Sequence, residues 1–251
     1  MIRLVATATF REAVRSRSFI ALLGLHLIGV LLARVVGWIS STDGNIITTD
    51  LVFSLQSIIG VLVAVATGTA LVHVEIKQRT LYTVLSRPMA RWHFVFGKYL
   101  GLGAALVAGQ IAMLTIGCLW LWVTGAEVHG WLLIAGILTC GEVLIMAAVA
   151  LALTALTSPL LAAVLGLAVY ALGHAVSSLP GLMYHLHGWQ RGVATALAAV
   201  IPNLGMFAYR NDAVHHIPLP WSSFLEAIAY AALWIALLMT VTVSVYRRKQ
   251  L

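Results

Sequence analysis

Charge is what this chain has least of. Asp, Glu, Lys and Arg make up 9% of its 251 residues, against 61% hydrophobic residues and a mean hydropathy of +0.99. Soluble domains carry roughly a quarter charged residues, so the composition argues against a water-soluble fold. Cysteine is also scarce. Cys118 and Cys140 both fall inside apolar runs, which suits small packing residues and implies neither a disulfide framework nor a zinc spacing. Signatures of chemistry are missing as well: there is no G-x-x-x-x-G-K-[ST] phosphate loop, no H-E-x-x-H and no G-x-S-x-G. The chain therefore has no legible nucleotide or hydrolytic site of its own. Its net charge of +7 raises the question of nucleic acid, but that partner needs a basic patch or stripe on a soluble face. The basic residues instead flank long apolar runs, as they do in loops of membrane proteins that face the cytoplasm.

Those runs are what the chain does have. Crossing the hydrocarbon takes about 20 mostly apolar residues, and six stretches qualify: about 19–39, 51–74, 96–123, 131–156, 160–176 and 222–246. The reading is a single all-α integral membrane domain over 1–251, with a polar turn at 40–50 and another at 124–130. Only Thr157, Ser158 and Pro159 separate the fourth and fifth stretches. A proline can kink one long helix, but more than about 40 residues cannot cross a bilayer once, so two spans are expected. No Ala-x-Ala-like cleavage site follows the first run, where Arg34 and Trp38 stand instead, so that run reads as a retained span rather than a secretory signal.

Before it, residues 1–18 place Ile2, Val5, Ala6, Thr9, Phe10 and Ala13 among arginines at helical spacing, which predicts an amphipathic helix in the inner headgroup layer. Between the last two spans, 177–221 is punctuated by Pro180, Pro202, Pro218 and Pro220. Its apolar piece 189–200 is too short to span, which predicts an outer-face or re-entrant helix packed on protein.

Counting basic residues gives an orientation. An inside N-terminus puts Arg3, Arg11, Arg15, Arg17, Lys77, Arg79, Arg87, Arg91, Lys98, Arg247, Arg248 and Lys249 on the cytoplasmic side and leaves Arg34, Arg191 and Arg210 at or beyond the outer face. Both termini are then cytoplasmic, in a cell membrane read as a bacterial inner membrane. Trp38, Trp122, Trp131, Trp221 and Tyr246 stand near span ends, where aromatic belts form.

The most basic inner loop, 75–95, opens the stretch EIKQRTLYTVLSRPMARWHFVFGKYLG over 75–101. From residue types alone, Thr80 to Leu85 supplies one or two helical turns, Pro88 stops them, and Arg91-Trp92 reopens a helix into the third span. The result is a short helix carrying Tyr82 and Trp92, held between two spans; the plainer alternative is a positively charged turn with an aromatic anchor. The stretch resembles one in the permeases of type-2 ABC exporters, particularly the NosY-like subgroup that serves nitrous-oxide reductase maturation. The matching positions are Glu75, Thr80, Leu81, Leu85, Ser86, Arg87, Pro88, Arg91, Gly97, Lys98 and Gly101. Arg79 departs from the family pattern, standing where many relatives have glycine. The resemblance implies that this loop is a coupling helix seated in a groove of a separate ATPase, with Glu75, Thr80, Leu81, Tyr82, Leu85, Arg87, Pro88, Arg91 and Trp92 at the contact. It further implies two permease copies, as a homodimer, with two cytoplasmic ATPase subunits. ATP and Mg are then used by the ATPase, and this chain itself binds no cofactor and no metal. Lipid surrounds the assembly, and an accessory protein at the outer face is compatible with it.

Glu142 sits within the fourth stretch, where a lone charge is costly and marks a site or a tight pair; lining a substrate route and bonding to a neighbouring helix remain open. Arg34 is close enough to the outer surface to snorkel. His185, His187, His215 and His216, with His129 and His174, prompt the question of copper or zinc, but no third and fourth ligand stand at fixed spacing, so solvated or interfacial histidine is the reading. An intramembrane enzyme using Glu142 with His73 or His174 is the second class of function. Those histidines are expected near the two membrane faces and Glu142 at mid-depth, so neither should meet it. A third class is a structural anchor for an outer-face partner. The sequence does not read out a substrate.

Overall fold

A backbone in hydrocarbon must satisfy its own hydrogen bonds, and runs of Leu, Val and Ala do so as helices. The structure, a computed structural model, describes residues 2–39, 44–78, 91–179, 181 and 188–248, without side chains at 72–78, 91, 197 and 247–248. The helices are α1 (Ile2–Arg15), α2 (Arg17–Ile39), α3 (Gly44–Gln78), α4 (Arg91–Val123), α5 (Gly130–Leu156), α6 (Pro159–Val176), α7 (Trp189–Val200), α8 (Arg210–Val214) and α9 (Trp221–Arg248), with a 3-10 turn at Leu204–Phe207. Six of them, α2 to α6 and α9, are long and apolar enough to cross a membrane. The protein is an all-α, multi-pass membrane protein.

The junction at 157–159 does divide two helices. Thr157 and Ser158 are both extended, at φ −129°, ψ −179° and φ −71°, ψ 154°, and Pro159 occupies the first turn of α6, where its missing N–H has no helical partner to lose. In α3 and α5 the membrane-compatible stretch is 67% buried, against 22% in α2, α6 and α9. The first two are therefore the centre of the bundle, and the others present apolar faces outward. Close crossings use small residues, as is usual between membrane helices. A Cβ on Gly37 of α2 would fall against the Gly44 carbonyl, and one on Gly44 against the Gly37 carbonyl.

Three expectations change. The polar turn at 40–50 is shorter, because α3 already begins at Gly44: Thr48 and Thr49 satisfy their hydroxyls on the carbonyls of Gly44 and Asn45, at 2.7 and 2.8 Å, and the helix continues beyond the apolar stretch. Helix α7 is not packed on protein as expected, since Trp189, Val193 and Val200 are exposed and Ala194 is its one buried residue among those described. The packed part of that region is the next one, where Leu204, Phe207, Tyr209 and Ala213 are buried. Helix α1 does not only float among headgroups; it lies along α4 in the same direction. A Cβ on Gly97 would meet Val5 and the Ile2 carbonyl, and one on Gly101 would meet Thr9 and the Ala6 carbonyl.

Helix α9 runs beside α5 in the same direction, with Phe224 and Ile228 near Ile137 and Gly141, then Thr242 and Tyr246 near Leu151. Helix α6 thus ends, and α9 begins, at the same end of the bundle, opposite α1. That end is called the far end below.

Candidate functional site

One group of buried polar side chains lies where α3, α5 and α6 meet. Glu142 of α5 is 1% exposed. Its Oε1 is 2.7 Å from Nε2 of His174, and its Oε2 accepts from Ser57 Oγ at 3.0 Å. The Ser57 hydroxyl lies 3.2 Å from the Tyr170 hydroxyl, and the Tyr170 ring meets the His174 imidazole edge-on at 4.9 Å. The His174 side chain retains 30% exposure, beside Gly173, which carries the Pro202 carbonyl and Leu204 directly against it. Beside Ser57 on α3, Gln56 donates to Gln110 Oε1 at 3.0 Å, and Gly60 makes room for the Gln110 amide. Toward the far end, Arg210 and Asp50 pair at 3.5 Å.

This corrects the expectation that His174 and Glu142 stand at different depths. Helices α5 and α6 form a hairpin about Ser158, and the two residues are equally far from it in sequence, 158 − 142 = 16 and 174 − 158 = 16. At about 1.5 Å per residue, equal spacing brings the two residues to the same depth. Glu142 stands near the middle of the 27-residue α5, as expected, and it is His174 that lies deeper than expected, because the shorter α6 ends two residues after it.

Chemically, a carboxylate held by an imidazole and a hydroxyl can store a proton or neutralise a cation in a place where a lone charge would be strongly disfavoured. Ser57 faces the carboxylate rather than the imidazole. The order of groups is thus not that of a serine nucleophile activated by histidine, which needs the hydroxyl on the imidazole. Sequence reasoning missed Ser57, Tyr170, Gln56 and Gln110; the available signal was polar residues within apolar runs, brought to one level by the hairpin.

Arg34 proves to be interhelical. Its Nη1 donates to Asn45 Oδ1 at 2.7 Å, its guanidinium stands 5.6 Å from the Trp38 ring centre, and Asn45 Nδ2 donates to the Gly125 carbonyl at 3.4 Å. Of the loop residues, Thr80, Leu81, Tyr82, Leu85, Arg87 and Pro88 lie outside the described residues, as do the side chains of Glu75, His73 and Arg91. Trp92 is in the first turn of α4, stacked on His93 at 3.8 Å. Lys98, counted above as a loop charge, is buried within α4, where its Nζ donates to the Leu71 carbonyl at 3.3 Å.

His185 and His187 lie outside the described residues, and His215 is exposed. The His129 and His216 rings meet at a tilt of 32° with centres 4.1 Å apart, and no group of three metal-ligating side chains occurs among the described residues. Burial holds the His129 imidazole below its ordinary value of 6.5, His216 pushes the same way, and Glu127 opposes both. The unfolded chain then binds this proton before the folded one, so the His129 contribution to stability is complete above about pH 6.5 and falls as the pH drops below it. The midpoint of thermal unfolding should therefore decline from pH 7.5 to 5.5 more steeply in the wild type than in His129→Phe. Superimposable pH profiles would show that the His129 imidazole carries no such linkage.

Comparison with known protein families and with curated proteins gives no match for this chain.

Proposed function

We propose that this chain is the membrane-spanning permease of an ABC exporter whose ATPase is a separate polypeptide. The observation that carries the reading is the placement of the basic stretch resembling the family. Residues 79–90 join two long helices, α3 and α4, and α3 runs on to Gln78. At 35 and 33 residues, the two helices are about 50 Å long, well beyond the roughly 30 Å of hydrocarbon. A contact at their joined ends has rigid levers reaching into the bundle centre, where α3 meets Glu142 and His174 through Ser57. Two further matching positions, Gly97 and Gly101, seat α1 against α4 beside that contact.

On this reading both termini are cytoplasmic, the far end is the outer face, two copies of the chain assemble with two ATPases, and ATP and Mg belong to the latter. Contact alone does not drive transport; it must distinguish two states of the transporter to shift their equilibrium. Charge reversal at Arg87 and Arg91 together should lower the yield of the complex with the ATPase or uncouple hydrolysis from transport, while membrane insertion survives on the remaining basic residues. Wild-type assembly, hydrolysis and transport in that variant would reduce the loop to a topological anchor and defeat the proposal.

A second reading, an intramembrane enzyme with Glu142 and His174 as acid and base, draws support from their 2.7 Å contact. It predicts turnover by the isolated chain without ATP.

A further inference from the structure

The far end holds an open cavity of about 600 Å³ bounded by α2, the start of α3, the 124–129 connection and α8, within the size range of small-molecule sites. Opposite charges line it. Arg34 spends one of five guanidinium donors on Asn45. Glu127 is 86% exposed at its side chain and touches His216 only loosely, Oε2 to Nε2 3.9 Å, so its carboxylate retains acceptor capacity. His129 and His216, whose rings tilt 32° to one another, line the same cavity. His129 Nδ1 is buried without a hydrogen-bond partner among the described residues, and His216 is held at φ 58°, a left-handed conformation that a non-glycine residue adopts at a cost. His129 is also the N-cap of α5 and makes no side-chain cap bond, which puts the positive end of the helix dipole near the same mouth.

We propose that this mouth binds a zwitterionic headgroup made of a phosphate and a primary ammonium. The phosphate goes to Arg34, whose planar fork suits it. The ammonium goes to Glu127. A purely anionic ligand would face the Glu127 charge unpaired. A quaternary ammonium has no N–H to give Glu127 and favours an aromatic cage, whereas the one tryptophan in the lining, Trp38, already lies under Arg34. Trp38 and Ile39, 72% and 81% exposed at the end of α2, place the mouth at headgroup depth, where tryptophan concentrates. The same chemistry is offered by a phosphoethanolamine phospholipid and by a soluble phosphoethanolamine ester. The inference does not depend on the exporter reading.

The test is lipid exchange onto the full-length purified chain, comparing phosphoethanolamine, phosphocholine and phosphoglycerol lipids of identical acyl chains, with soluble glycerophosphoethanolamine as competitor. Phosphoethanolamine lipid should bind about tenfold more tightly than either of the others, and Arg34→Gln should lose about tenfold, the equivalent of one charge-assisted hydrogen bond. Glu127→Gln, at an exposed position that threatens no packing, should abolish the preference over phosphoglycerol while retaining binding. Competition by the soluble ester at comparable concentration assigns the site to soluble ligands, and failure to compete assigns it to lipid. Equal binding of the three lipids, or wild-type selectivity in Glu127→Gln, would overturn the proposal.

Discussion

Glu142→Leu is expected to destabilise the protein by about 2 kcal/mol, because it removes the buried acceptor shared by His174 and Ser57 and leaves polar groups without a partner. The bond to Ser57 alone cannot account for that figure, since hydrogen bonds between membrane helices average only about 0.6 kcal/mol; most of the cost arises from His174 losing its carboxylate 2.7 Å away. Glu142→Gln keeps an acceptor for one neighbour and turns an amide donor toward the other, which the Ser57 hydroxyl or a neutral imidazole can accept, so it should cost about 1 kcal/mol and leave the chain folded; under the proposed exporter function it should change substrate-stimulated hydrolysis. The decisive measurement is a double-mutant cycle with His174→Phe, read by thermal unfolding in detergent. The double variant should cost less than the sum of the two single ones by about 1–3 kcal/mol. Additive costs, or a Glu142→Leu variant as stable as wild type, would make the pair incidental.

Gly101→Leu should detach α1. The Cβ alone would already press on the Ala6 carbonyl and Thr9, and a backbone carbonyl cannot rotate aside as a flexible side chain does. Overpacking usually costs about 1–3 kcal/mol, and here the release of one short helix is the easier relaxation. Limited trypsin digestion should then cut the variant at Arg3, Arg11 or Arg15 several times faster than wild type, while the six spans stay intact. Gly97→Ala, pressing mainly on the Val5 side chain, should show a smaller change. Equal cleavage of wild type and Gly101→Leu would mean that α1 is not held by this contact.

The spans were legible in the sequence because bilayer thickness sets a length that hydropathy can count. Even the break at Pro159 followed from that length. The ends of the helices were less legible. Asn45, Thr48 and Thr49 look like turn residues, but hydroxyls that bond back to the preceding turn allow a helix to run on into the polar layer. The His174–Glu142 pair was misjudged for want of one step, the equal spacing of both residues about Ser158. Gly97 and Gly101 were noticed only as part of a resemblance, although a glycine pair four residues apart is itself a signal of close helix approach. Nothing local in Trp189–Val200 distinguishes a helix that docks from one that stays exposed, because that depends on what its apolar side meets.

Helix α6 has 18 residues, about 27 Å of rise, against roughly 30 Å of hydrocarbon. Alongside it the bilayer must either thin locally or be completed by protein, and the chain supplies part of the difference by laying Pro202 and Leu204 over Gly173. A thicker membrane would stretch this mismatch at a cost of fractions of a kcal/mol per Å, concentrated where α6 ends beside His174. Acyl-chain length is therefore a handle on the hydration of His174 that leaves every residue of the protein unchanged.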